Sequence, residues 1–128
     1  MEYLKDLLYG INRELNFGYV INEDFTEYDF IFLMENKEEG HFYVNTKDNS
    51  VESLIESINS AYDKLCKGPE KEIVNRLKEF VNQFYKYVVE ENSMHVCKYC
   101  GALANGEYAD LLCDHCIEMF GHRLYSEL

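Results

Sequence analysis

Four of the chain's five cysteines stand together in residues 97–116, CKYCGALANGEYADLLCDHC. They form two C-x-x-C pairs, Cys97/Cys100 and Cys113/Cys116, with 12 residues between them. A C-x-x-C turn sets two sulfurs on one side of a metal, with backbone amides pointing toward them. Two such turns complete the tetrahedral, soft-ligand set that Zn²⁺ prefers. The expected metal ligands are therefore Cys97, Cys100, Cys113 and Cys116, holding one structural zinc per chain.

An iron site of the rubredoxin kind, a redox dithiol and two disulfides are the competing uses of four such thiols. The doubled spacing favours zinc, and CDHCI lacks the glycine that CKYCG carries after its second cysteine, a departure from the rubredoxin pattern. His95, His115 and His122 flank the cysteines, and each has the chemistry to replace one as ligand. Four thiolates already suffice, so the histidines are read as neighbours of the site or as surface residues. The centre is closed: a catalytic zinc keeps a position for water, and four thiolates leave none. Four thiolates and one Zn²⁺ sum to −2, taking the formal net charge from −12 to −14.

The segment CKYCG reads as a zinc knuckle, with Gly101 where the turn needs an unhindered backbone. The dipeptide Asn105-Gly106 signals a hairpin. The residues after Cys113 have helical spacing, with Ile117, Phe120 and Leu124 on one side. Knuckle, hairpin and helix in this order resemble a treble-clef zinc finger over residues 96–125, which implies metal binding and leaves the role open.

The elements that must carry this module lie before it. Leu4, Leu7, Leu8, Ile11 and Leu15 recur at helical spacing, so residues 2–15 are predicted to be an amphipathic helix. Residues 17–21, 28–35 and 41–45 are rich in aromatic and β-branched residues and read as strands. NKEEG (36–40) suits a hairpin turn between the last two. FIFLM (30–34) is apolar on both alternations, which predicts a central strand covered on both faces. A second helix begins near Ser50, with Asn49 as its cap and Glu52 as the partner in a capping box. Its apolar face runs from Val51 to Leu65. KGP (67–69) stops it, with Gly68 at a left-handed end and Pro69 opening a third helix that continues to about Asn92. Cys66 lacks a partner at ligand spacing and is read as a buried structural thiol.

The expected fold class is α+β: a small three-stranded antiparallel sheet covered by helices (α-β-β-β-α-α), followed by the zinc-binding knuckle–hairpin–helix. The domains are 1–93, the core, and 94–128, the zinc module. The longest apolar runs are too short to cross a bilayer, and MEYLKDLLYGINREL lacks the pattern of a secretory signal. The expected location is therefore the cytoplasm, where reducing conditions favour metal ligation over disulfides.

No enzyme motif is present: neither H-E-x-x-H, G-x-x-x-x-G-K-S/T, G-x-G-x-x-G, G-x-S-x-G nor the zinc-deaminase signature. The chain is read as non-catalytic. Charge argues against nucleic acid as partner, since 12 basic residues face 24 acidic ones. The cysteine segment 94–128 itself offers only Lys98 and Arg123 to phosphates. What remains is protein binding, and the 11 Tyr and 8 Phe suit an interface. EDFTEYDFIFLMENKEE (23–39) interleaves seven acidic residues with aromatics. It is read as an anionic face fit for a groove built for nucleic acid, with Glu23, Asp24, Glu27 and Asp29 as steering charges and Tyr28 as an exposed anchor.

Short length, acidity, absent catalytic motifs and the pair of zinc knuckles together resemble the small phage-encoded anti-CRISPR proteins. The Lys/Glu/Asn/Tyr-rich usage is similar to that of phages and mobile elements of low-GC Gram-positive bacteria. The resemblance implies a basic host protein as partner, a type II RNA-guided nuclease, blocked from its nucleic acid in the bacterial cytoplasm. The rival expectation is a zinc-finger regulatory protein acting on transcription machinery or nucleic acid.

Overall fold

A computed structural model describes residues 2–105. It is an α+β fold with the order α1 (Glu2–Leu15), β1 (Gly18–Ile21), β2 (Glu27–Leu33), β3 (Glu39–Asn45), α2 (Val51–Asp63) and α3 (Pro69–Phe84). A π-helical segment (Tyr85–Glu90) follows, then β4 (Met94–Val96) and β5 (Leu103–Asn105). The three main strands form one antiparallel sheet in the order β1-β2-β3. No helix among the described residues is long and apolar enough to cross a membrane.

The predicted stripe of α1 is all buried: Leu4, Leu7, Leu8, Ile11 and Leu15. The helix ends where Asn16 takes a left-handed φ of 60°. The Phe17 amide then bonds back to the Ile11 carbonyl, six positions earlier, at 3.3 Å. The first strand pair turns around Asn22, whose Oδ1 accepts from the amides of Thr26 and Glu27 at 2.8 and 2.9 Å. The second turn uses Lys37 at φ 66°. The predicted turn glycine, Gly40, lies instead inside β3. There a Cβ would meet the Phe32 ring at 2.2 Å, so the missing side chain makes room for an aromatic ring.

Helix α2 is capped by Ser50, not Asn49: the Ser50 hydroxyl accepts from the Ser53 amide at 3.1 Å. Asp48 in turn accepts from the Ser50 amide at 3.0 Å and from its hydroxyl. Helix α2 ends at Asp63, and Gly68 caps the start of α3 rather than the end of α2, with Pro69 at the first helical position as expected. The third helix does not stay α-helical to Asn92. It widens at Tyr85 into the π-helical segment, where the Glu91 amide bonds to the Lys86 carbonyl five residues back.

Buried Val74, Leu77, Phe80, Val81, Phe84 and Val88 of the third helix meet Val51, Leu54, Ile55 and Ile58 of α2 and the inward sheet residues Tyr28, Phe30, Phe32, Phe42 and Val44 in one core. Only that inner face of the sheet is covered. Along β2, Tyr28, Phe30 and Phe32 are buried while Ile31 is half-buried and Leu33 is 66% exposed. The expectation that FIFLM is covered on both faces is thus corrected. The strand is central, but its second alternation faces outward.

Candidate functional site

After Asn92, again left-handed at φ 51°, the chain enters β4, which pairs antiparallel with β5 in the register Met94↔Asn105, His95↔Ala104, Val96↔Leu103. The loop between them is the first cysteine pair. The Cys97 amide donates to the Ala102 carbonyl at 2.8 Å, and the Gly101 amide donates to the Cys97 carbonyl at 3.0 Å. Gly101 has φ +80°, the left-handed turn expected of it. Two further amides, of Tyr99 and Cys100, point at Cys97 Sγ from 3.4 and 3.5 Å. Amide donors favour sulfur in its anionic form, which is the form that binds metal. Cys97 is fully buried and Cys100 half-buried.

Helix α1 holds this loop in place. The Tyr9 hydroxyl donates to the Lys98 carbonyl. The Arg13 guanidinium donates to the Tyr99 carbonyl from Nε at 3.3 Å and Nη2 at 3.1 Å. Lys98 Nζ lies 3.8 Å from Asp6 Oδ1. Gly101 packs on the helix backbone itself: a Cβ there would meet Arg13 Cβ at 2.7 Å and Gly10 Cα at 3.2 Å. Sequence reading missed these positioning residues. Their signal is the spacing of Asp6, Tyr9, Gly10 and Arg13, which repeats at helical period on a face adjoining the apolar stripe.

The residues present fit half of a thiolate centre. Cys113 and Cys116, with His115, His122, Gly106 and the helix predicted after Cys113, lie outside the described residues, and Asn105 is the last residue of β5. Among the described residues no group of three or more His, Cys, Asp or Glu is gathered for a metal. Both ring nitrogens of His95 are buried and have no hydrogen-bond partner among the described residues, so His95 is not a surface side chain. Cys66 is exposed, which corrects its reading as a buried thiol. It lies just beyond the end of α2, where the chain leaves the core.

Only part of the anionic segment lies on the outward face of the sheet: of its seven carboxylates, Glu23, Asp24, Glu35 and Glu38 fall outside the strands. Glu27, Asp29, Ile31 and Leu33 of β2 face out, flanked by Val20 of β1 and by His41 and Tyr43 of β3 through the pairs Val20↔Asp29, Asp29↔Tyr43 and Ile31↔His41. Val20 and Tyr43 are 61% and 69% exposed. His41 Nδ1 lies 3.0 Å from both carboxylate oxygens of Asp29, and its ring stacks on Tyr43 with centroids 5.9 Å apart. Glu27 accepts from Asn22 Nδ2 at 3.3 Å. A shallow hollow of about 300 Å³ opens here, lined by Val20, Glu27, Asp29, Tyr43 and Asn45 among others. Tyr28 does not belong to this face. It is 2% exposed, its hydroxyl donates to the Phe25 carbonyl at 3.1 Å, and burial pushes its pKa up to about 12. The exposed tyrosine is Tyr43, from the neighbouring strand.

No family model matches the chain, and no curated protein or solved structure is similar to it.

Proposed function

We propose that the chain is a non-catalytic inhibitor that binds a protein through its anionic sheet face, while a structural zinc at Cys97, Cys100, Cys113 and Cys116 secures its C-terminal residues. The observation that carries this reading is the placement of charge. Residues 18–45, the sheet with its two turns, hold seven carboxylates and one lysine, a net charge of −6. This is half of the chain's −12 on under a quarter of its length. Glu27 and Asp29 lie on the uncovered face, beside exposed apolar side chains. Such a surface repels phosphates and attracts basic protein grooves.

The target proposed is a type II RNA-guided nuclease, whose basic channel the face would occupy in place of nucleic acid. Zinc in a four-thiolate set has no open coordination position, and it serves to hold the chain. The two amides on Cys97 Sγ support that assignment.

The test uses a guide-loaded type II nuclease, its target DNA and the full chain in a mobility-shift assay. Preincubation with the protein should abolish the nuclease–DNA shift, and the protein alone should not shift DNA at low salt. A DNA shift by the protein alone that weakens steeply as salt rises would replace this reading with the zinc-finger regulatory one.

A further inference from the structure

We propose that the outward sheet face receives arginine side chains of a cationic protein partner, with the guanidinium in the hollow beside Tyr43 and the carboxylates of Glu27 and Asp29 as its counter-charges. This inference rests on the protein-binding reading above and names the surface and the chemistry it takes.

Three features favour arginine. The first is the mixture in the hollow: Val20 and Tyr43 line it together with the carboxylate-bearing Glu27 and Asp29. A lysine ammonium is strongly hydrated and loses water at an apolar surround, whereas the guanidinium is weakly hydrated, planar and able to stack on a ring while its edge pairs with a carboxylate. The second is the ring pair. His41 and Tyr43 lie nearly parallel, 11° apart, and offer flat surfaces on the edge strand β3, beside Asp29. The third is preorganisation. His41 steadies Asp29 and Asn22 steadies Glu27, and each carboxylate keeps lone pairs for a further donor. Holding the acceptors in place before contact lowers the cost of binding.

Charge decides between occupants. A second copy would set the outward carboxylates Glu27, Asp29 and Glu39 against the same three, and a nucleic acid would bring phosphates; both are repelled. A basic protein surface is attracted.

The test measures binding of an oligo-arginine peptide and an oligo-lysine peptide of equal length to the full chain, by calorimetry and by amide shift mapping. The arginine peptide should bind about fivefold more tightly than the lysine peptide. Its shifts should centre on Val20, Asp29, His41 and Tyr43. Tyr43→Ala should weaken arginine-peptide binding about fivefold, and Glu27→Gln with Asp29→Asn should weaken both peptides. Glu70→Gln with Glu72→Gln, the same charge change on exposed positions of α3, should leave binding within a factor of about two. Equal affinity for the two peptides, or an equal loss in the α3 control, would overturn the proposal in favour of net charge alone. A concentration-dependent dimer that Tyr43→Ala abolishes would overturn it in favour of a second copy.

The two readings fail separately. If the parent inhibits the nuclease and the Tyr43→Ala, Asp29→Asn variant inhibits equally, the face is not the docking surface and the inhibitor reading stands. If the peptide results hold while the parent neither binds nor inhibits the nuclease, that target falls and the arginine-binding face stands.

Discussion

Gly101 of the cysteine loop lies against Gly10 of α1, so close that a Cβ on Gly101 would come within 3.2 Å of Gly10 Cα. Gly101→Ala adds a methyl 2.7 Å from Arg13 Cβ at a residue with φ +80°. The left-handed backbone costs about 1–2 kcal/mol and the overpacking about 1–3 kcal/mol. Gly10→Ala meets the Phe80 ring at 2.5 Å and carries only the second cost. Denaturant titration of both variants checks the order. A Gly101→Ala protein as stable as the parent to within about 0.5 kcal/mol would contradict the packing.

Protein purified without added metal should contain about one zinc per chain by elemental analysis. Cys97→Ser should abolish that content, because it removes the sulfur on which the Tyr99 and Cys100 amides converge. Cys66→Ser, at an exposed thiol, should leave it unchanged. Iron, or oxidised thiols without metal, would exclude the zinc proposal.

Asp48 ties acid stability to the start of α2. The Ser50 hydroxyl, with the Ser50 amide, holds the Asp48 carboxyl below its ordinary value of 3.8. A depressed carboxyl contributes stability above the unfolded value and loses it as pH falls through the folded one. Parent and Asp48→Asn should therefore differ most near neutral pH, and the gap should close below about pH 4. Urea midpoints across an acid series read this directly. A gap that stays constant would mean that the carboxylate charge plays no part.

Tyr28 sets the opposite limb. Its folded pKa of about 12 exceeds its ordinary 10.0, so its contribution is complete below pH 10 and is lost as pH rises from there toward 12. Tyr28→Phe loses the hydrogen bond to Phe25, worth about 1 kcal/mol at neutral pH. In return it removes one source of alkaline unfolding. The parent should lose stability faster than the variant above about pH 10, as followed by circular dichroism in urea.

Converting Glu23, Asp24, Glu27 and Asp29 together to Lys should slow association with the proposed nuclease target several-fold at low salt, an effect carried by the association rate constant. Fold stability should change little through Glu23, Asp24 and Glu27, which are exposed, and the cost should come from Asp29, which is half-buried and paired with His41. Tyr43→Ala should instead speed dissociation. Stopped-flow kinetics at two salt concentrations separate the two effects. Unchanged association by the charge-reversed chain would move the contact surface elsewhere.

Much of the scaffold was legible because burial imposes a period. The α1 stripe and the buried faces of α2 and α3 repeat every three or four residues, and the aromatic runs marked all three strands. The phase of a strand was less legible. Tyr28 and Asp29 alternate, but composition does not say which points inward until the register with Val44 and Tyr43 is known. Ile31 and Leu33 look like core residues and face out, since apolarity does not distinguish a covered face from one open to a partner. The π-helical segment left no trace because Val88 continues the apolar spacing of the helix, and one widened turn changes no residue type. For the site, C-x-x-C-G announced the Cys97 turn through a chemistry-bearing spacing. Tyr9 and Arg13 gave only their helical spacing beside the apolar stripe, which names no partner: they bond the carbonyls of Lys98 and Tyr99, and any residue supplies a carbonyl.

The π-helical segment also bears on chain length. Between Lys86 and Glu91 the backbone ring closes over five residues, where the α-helix before it closes over four. Losing one residue between them, such as the exposed Glu90, would turn the five-residue step into a four-residue one. The ladder of α3 would then continue as an ordinary helix. The chain thus holds a spare residue just ahead of β4 and the cysteine loop. Descendants of this sequence have a place there to shorten by one without breaking a hydrogen-bonded run.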